Sequence, residues 1–117
     1  MSRWSTGKYR SRKSGTVYDY KSSWEAIYMD MLDSDPAVDS WEYESVWVMY
    51  HNGQKVKKYL PDFLVALRGG GRVLVEVKPE KLRDNPTNAA KRLAVQQKCR
   101  EEGWVYYEWA QGQPGLP

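Results

Sequence analysis

Two carboxylates and a lysine stand where a β-hairpin would bring them together. Asp62 lies in Leu60-Pro61-Asp62-Phe63, Glu76 and Lys78 in Leu74-Val75-Glu76-Val77-Lys78, with Arg68-Gly69-Gly70-Gly71 between. Side chains alternate along a strand, so Leu74, Glu76 and Lys78 share one face and Val73, Val75 and Val77 the other. If the glycines close an antiparallel hairpin in which Ala66 pairs with Arg72, Asp62 falls opposite Glu76. Their Cβ atoms would then lie about 4.5–5.5 Å apart, where like charges repel unless something neutralises them. A divalent cation would do so, and Lys78, two residues along the same face, adds a second positive charge. The competing reading is an exposed edge-strand pair of Glu76 with Lys78, worth about 0–1 kcal/mol. Valines on the opposite face argue for a central strand instead, where unpaired charge is costly.

The elements that must hold these groups can be traced along the chain. Residues 1–21 carry no sustained periodicity and read as a basic N-terminal arm. Ser22-Ser23-Trp24-Glu25 fits a capping box, and Trp24, Ile27, Tyr28 and Met31 follow at helical spacing, which predicts a helix over 23–32 ending at Asp33-Ser34-Asp35-Pro36. On that helix Glu25 lies on the side of Tyr28, Met29 and Leu32 and points toward the sheet; its other reading is that it merely closes the box with Ser22. Val46 to Tyr50 reads as a strand turning at Asn52-Gly53, Val56 to Leu67 as a second strand interrupted by Pro61, and Arg72 to Lys78 as a third, closed off by Pro79. A helix over 88–102 ends at Gly103, Trp104 to Trp109 forms the last strand, and 111–117 is a polar C-terminal tail. The order α-β-β-β-α-β over residues 22–110 gives an α/β fold with a mixed central sheet flanked by helices. Its last strand should run parallel to strand 72–78 after a right-handed crossover.

Composition limits the chemistry. The chain of 117 residues supports one domain, and no apolar run approaches the roughly 20 residues that span a bilayer. Met1 to Ser5 has no apolar stretch of the secretory kind, so the expected location is cytoplasmic. One cysteine and one histidine leave no internal disulfide, no Cys-based zinc site and no His-metal centre, so carboxylates, lysines and hydroxyls must carry any reaction. The net charge of +3 is unevenly spread: Arg3, Lys8, Arg10, Arg12, Lys13 and Lys21 face only Asp19 in the first 21 residues, whereas 25–44 holds seven acidic residues and no basic one. A basic arm on a nearly neutral body suggests a polyanion, nucleic acid above all.

With these residues in view, Pro61-Asp62 followed fourteen positions later by Glu76-Val77-Lys78 resembles the PD-(D/E)XK nuclease signature. The upstream helix with Glu25 and the downstream helix with Lys91 stand in that superfamily's usual order, and the resemblance covers about residues 18–109. Within it the chain is similar to phage head-completion nucleases in Tyr20 to Glu25, Leu32 to Pro36, Trp41 to Glu44 and Glu76 to Pro79. The endonuclease subunits of heteromeric transposases and phage junction-resolving endonucleases are similar in the same stretches.

The resemblance implies a restriction-endonuclease-like core and Mg²⁺-dependent hydrolysis of DNA phosphodiesters, with Mn²⁺ as a substitute. It implies Asp62, Glu76 and the Val77 carbonyl as metal ligands, Glu25 at a second metal or a water, and Lys78 beside the attacking water and the phosphate. Arg10, Arg12, Lys13 and Lys21 of the arm, with Lys57, Lys58, Lys91 and Arg92 of the body, are the expected DNA contacts. Trp104, Tyr107, Trp109 and Cys99 read as packing residues, and His51 has no assigned role. A homodimer partner, or phage head, neck or portal proteins, are the expected protein partners, in the host cytoplasm or the virion. The rival expectation is a non-catalytic DNA-binding or virion-assembly protein that keeps the nuclease fold.

Overall fold

A computed structural model describes residues 5–78 and 86–117. Residues 1–4 and 79–85, with the Arg3 and Pro79 of the sequence reading, lie outside the described residues. The first two strands, β1 (Gly7–Arg10) and β2 (Val17–Tyr20), form an antiparallel hairpin. Helix α1 (Ser23–Ser34) follows, then β3 (Val38–Tyr43), β4 (Val48–Asn52), β5 (Lys55–Tyr59), β6 (Phe63–Leu67) and β7 (Arg72–Val77). Helix α2 (Pro86–Glu102) and β8 (Val105–Trp109) complete the chain. The central sheet has the order β3-β6-β7-β8, antiparallel except for the parallel β7–β8 pair, and β4 with β5 makes a separate ribbon. This is the expected mixed α/β architecture of a restriction-endonuclease-like core. Among the described residues no helix is long and apolar enough to cross a membrane.

The β6–β7 register pairs Ala66 with Arg72 and Phe63 with Val75, as the hairpin argument requires. Gly70 and Gly71 both take positive φ in the connecting turn, a conformation open to glycine and strained for other residues. Strand alternation then separates two cores. Phe63, Val65, Val73, Val75 and Val77 pack with Trp109 and Trp41 under Tyr28, Met29 and Leu32 of α1. On the other face Leu64 and Leu74 pack with Val48 of the β4–β5 ribbon and with Val95 and Cys99 of α2. Trp109 and Cys99 are thus packing residues, and Trp104 and Tyr107 are partly buried against these two cores.

Four sequence expectations are corrected. The first 21 residues contain the β1–β2 hairpin, which is docked on α1 around Asp33. Asp33 accepts from Tyr9 Oη at 2.7 Å, Ser11 Oγ at 2.9 Å, the Arg12 amide at 2.8 Å and Trp41 Nε1 at 2.8 Å. These hairpin strands have four residues each and alternate only between exposed and half-buried, too faint a pattern to register. Strand β3, absent from the sequence reading, is a sheet edge with a bulge between Val38 and Ser40. The bulge puts Val38 and Trp41 on the same buried side at odd spacing, which erases the period-2 signal. The run 56–67 is two strands in different sheets, because Pro61 has no amide to donate and the chain changes sheet there. Finally, residues of the C-terminal tail fold back: Tyr28 Oη donates to the Gly115 carbonyl at 2.7 Å, and Leu116 packs on the core.

Candidate active site

Asp62 immediately precedes β6 and Glu76 is the penultimate residue of β7, and both are buried, at 9% and 2% exposure. Asp62 is held from two sides. Its Oδ2 accepts from the Val77 amide at 2.8 Å, and its carbonyl accepts from the Glu44 amide at 2.9 Å. Glu76 accepts a short hydrogen bond from Tyr59 Oη at the base of the ribbon. Lys78 Nζ stands 3.7 Å from Glu76 Oε2, and its amide continues the β7–β8 ladder by donating to the Trp109 carbonyl at 2.6 Å. The two acids and the lysine therefore converge from two strands on one end of the sheet.

Burial dominates the electrostatics. It lifts the Asp62 carboxyl from 3.8 to about 7, with Glu76 and Glu25 adding to the rise and the Val77 amide and Lys21 opposing it. Burial likewise raises Glu76, against the pull of Lys78 and the Tyr59 hydroxyl. Tyr59 is pushed well up by the same burial and by the Glu76 charge, so its hydroxyl stays a donor.

Glu25 is also buried, but its partners are local. Its Oε1 accepts from the Lys21 amide at 2.6 Å and from Tyr43 Oη at 3.0 Å, while its own amide donates to the Ser22 side chain at 3.3 Å. Its amide on the Ser22 side chain is the capping contact at the start of α1, and its charge adds to the rise of the Asp62 carboxyl. Lys21, expected on DNA, instead lies among carboxylates, with Nζ 2.7 Å from Glu44, 3.8 Å from Glu25 and 4.0 Å from Asp62. Glu44 holds a left-handed backbone, φ 51°, which costs a non-glycine residue energy and is a feature of functional positions.

The other basic residues expected on DNA divide into two groups. Arg12 pairs with Asp30 at 3.0 Å and donates to Ser34 Oγ, and Lys13 donates to the carbonyls of Asp35 and Val38. Arg10 donates to the Gly15 carbonyl within its own hairpin. Much of the arm's positive charge thus answers the acidic stretch 25–44. Arg92 pairs with Glu108 at 3.5 Å. Lys57 and Lys58 are exposed on the ribbon, and Lys91 Nζ lies over the rings of Tyr59 at 4.8 Å and Tyr50 at 5.7 Å. Sequence reading missed Tyr59, Tyr43 and Glu44 as partners of the acids; the tyrosine hydroxyls carried no motif, and only the fold brings them within reach.

Among the described residues no three His, Cys, Asp or Glu side chains are gathered into a ready-made cation cage. The donor chemistry nevertheless suits a hard divalent ion: two buried carboxylates from adjacent strands, one of them lifted to about 7 by burial and its acidic neighbours. A cation between them would relieve that cost.

Two comparisons bear on this site. A family model described as TnsA-like endonuclease N terminal matches residues 35–109, well over half of the chain and inclusive of Asp62, Glu76 and Lys78. The head completion nuclease of Enterobacteria phage T4 is 29% identical over 73 residues, which are 61% of this chain and 49% of that protein. The chain thus spans about half the length of the curated relative it matches, and the similarities to head-completion nucleases and to transposase endonuclease subunits read from the sequence are found.

Proposed function

Because the chain belongs to the TnsA-like endonuclease N-terminal family, we propose that it is a divalent-metal-dependent DNA endonuclease whose centre is Asp62, Glu76 and Lys78. The observation that carries this is the pairing of two buried acids with a lysine at the end of β6–β7. Asp62 and Glu76, with the Val77 carbonyl, are the residues that would hold Mg²⁺ or Mn²⁺, and Glu25 lies behind them. When bound, the ion supplies Lewis-acid stabilisation of the phosphate and a more acidic water.

The chain's own residues do the rest. The Val77 amide orients Asp62, and Tyr59 orients Glu76, so neither carboxylate has to be ordered when DNA arrives. Lys78 places a positive charge beside the acids, where, as a donor only, it offsets charge that develops on the phosphate. Glu25 positions rather than reacts, since the Lys21 amide and Tyr43 already engage its Oε1. The biological setting we propose is a phage one, in head completion or in processing DNA ends or branches, in line with the name of the phage T4 relative. The test is incubation of the purified protein with branched, nicked and linear DNA, with Mg²⁺ or with EDTA. Metal-dependent cutting supports the reading, and cutting that persists in EDTA overturns it.

One observation favours the non-catalytic reading: Lys21 already supplies a positive charge to Glu44, Glu25 and Asp62. If the Asp62→Asn protein restores growth to a phage lacking this chain, catalysis is dispensable and that reading prevails.

A further inference from the structure

Among the described residues, the β4–β5 ribbon has an outer face that joins neither core. Val48 and Tyr50 turn inward and are buried, whereas Trp47, Met49 and Val56 on the opposite side are 59%, 54% and 53% exposed. Cross-strand register puts Met49 beside Lys58 and His51 beside Val56, so the five outward residues Trp47, Met49, His51, Val56 and Lys58 form one strip. Lys58 Nζ lies 5.7 Å from the centre of the Trp47 ring. Between Val46 and Pro61 the chain holds Lys55, Lys57 and Lys58 and no acidic residue, in contrast to the acidic stretch 25–44.

The ribbon is also tied to the candidate site. Tyr59, its last residue, donates to Glu76, and Lys91 of α2 lies over the rings of Tyr59 and Tyr50. A ligand on the outer strip would therefore lie on the ribbon that carries Tyr59, on the face turned away from that residue.

Resting on the endonuclease reading, we infer that this strip binds unpaired bases of a DNA strand next to the bond to be cut, so that the preferred substrate is forked or otherwise partly single-stranded. The charge selects a polyanion. The apolar side chains select its form, because duplex bases hide their faces in the stack while unpaired ones present them to an aromatic ring. Trp47 is the stacking platform, Met49 and Val56 extend it, and Lys58, the lysine on this face, meets the phosphates.

The test is fluorescence anisotropy of the full chain in EDTA with two labelled probes, a fork with single-stranded arms and a fully paired duplex of the same length. One stacked base contributes about 1–3 kcal/mol, so Trp47→Ala should weaken fork binding about tenfold while duplex binding changes less than about twofold. Trp47→Phe should retain the fork affinity. Equal loss on fork and duplex, or no loss on the fork, overturns the inference while leaving the endonuclease reading intact. If the unaltered protein binds neither probe, the endonuclease reading fails with it. Sedimentation of the same proteins tests the other occupant: a dimer abolished by Trp47→Ala, with fork affinity unchanged, would make the strip a self-association face and overturn the inference.

Discussion

Asp62 is the residue whose replacement separates function from stability most sharply. Burial and its acidic neighbours raise its carboxyl from 3.8 to about 7. The folded metal-free protein therefore keeps a proton there that the unfolded chain has lost above pH 4. Between those two values the unfolded state binds fewer protons, so stability falls as pH rises, and above pH 7 the whole penalty is present. A displacement of this size corresponds to about 4 kcal/mol, an upper figure that local relaxation reduces. Asparagine can still accept from the Val77 amide but carries no charge. In EDTA at pH 8, Asp62→Asn should therefore be more stable than the unaltered protein by about 2–3 kcal/mol, or roughly 8–12 °C in Tm. At pH 4 the difference should nearly vanish. The assay is urea unfolding of both proteins across pH 4–8, where groups common to the two cancel. A destabilised Asp62→Asn protein at pH 8, or a difference independent of pH, would refute the reasoning. Mg²⁺ should then close the gap, adding about 2.7 kcal/mol to the unaltered protein at a hundred times its Kd and little to the variant.

Further outcomes follow from the rest of the structure. Asp33→Ala removes the acceptor of three hydrogen bonds that pin the N-terminal hairpin to α1 and of a fourth from Trp41 of β3, and should cost about 2–4 kcal/mol in denaturant unfolding. Although burial opposes it, those donors hold the Asp33 carboxyl below its ordinary range, so its contribution is present above pH 4 and lost as pH falls through the lowered value. Lys21→Met takes an ammonium from among three carboxylates and should tighten Mg²⁺ binding about threefold by calorimetry; an unchanged or weaker affinity would show that Lys21 does not compete with the ion. Replacing Lys55, Lys57 and Lys58 by alanine should flatten the slope of log K against log salt on DNA by roughly 0.9 for each phosphate that the ribbon no longer neutralises. Arg12→Ala should leave that slope unaltered and lower Tm instead, since its guanidinium is engaged by Asp30 and Ser34.

Legibility differed from element to element. The site hairpin could be read because strand parity, a glycine turn and two charged residues on a valine strand all constrain one register, and β6–β7 shows it. The parallel return of β8 followed from the helix between the strands. What escaped was set by long-range partners. Lys21 belongs to the basic arm by charge arithmetic, yet the fold carries it to Glu44 and Asp62, because the acidic stretch that follows is its nearest counter-charge. Strand β3 was hidden by its bulge, and the arm's hairpin by Asp33, whose role as a shared acceptor has no sequence signature. Trp47 reads as one more aromatic in a strand; only its exposure beside the buried Val48 shows that it faces outward.

The central claim is that Asp62, Glu76 and Lys78 act as one catalytic centre, and single-turnover cleavage of a pre-bound DNA substrate in Mg²⁺ tests it most directly. Lys78→Ala should slow the cleavage step about 10²–10³-fold, as loss of one preorganised charge does, and Asp62→Asn and Glu76→Gln by at least as much, while each variant binds DNA within a few-fold of the unaltered protein. Cleavage at the unaltered rate by any of the three, at matched DNA occupancy, would contradict it.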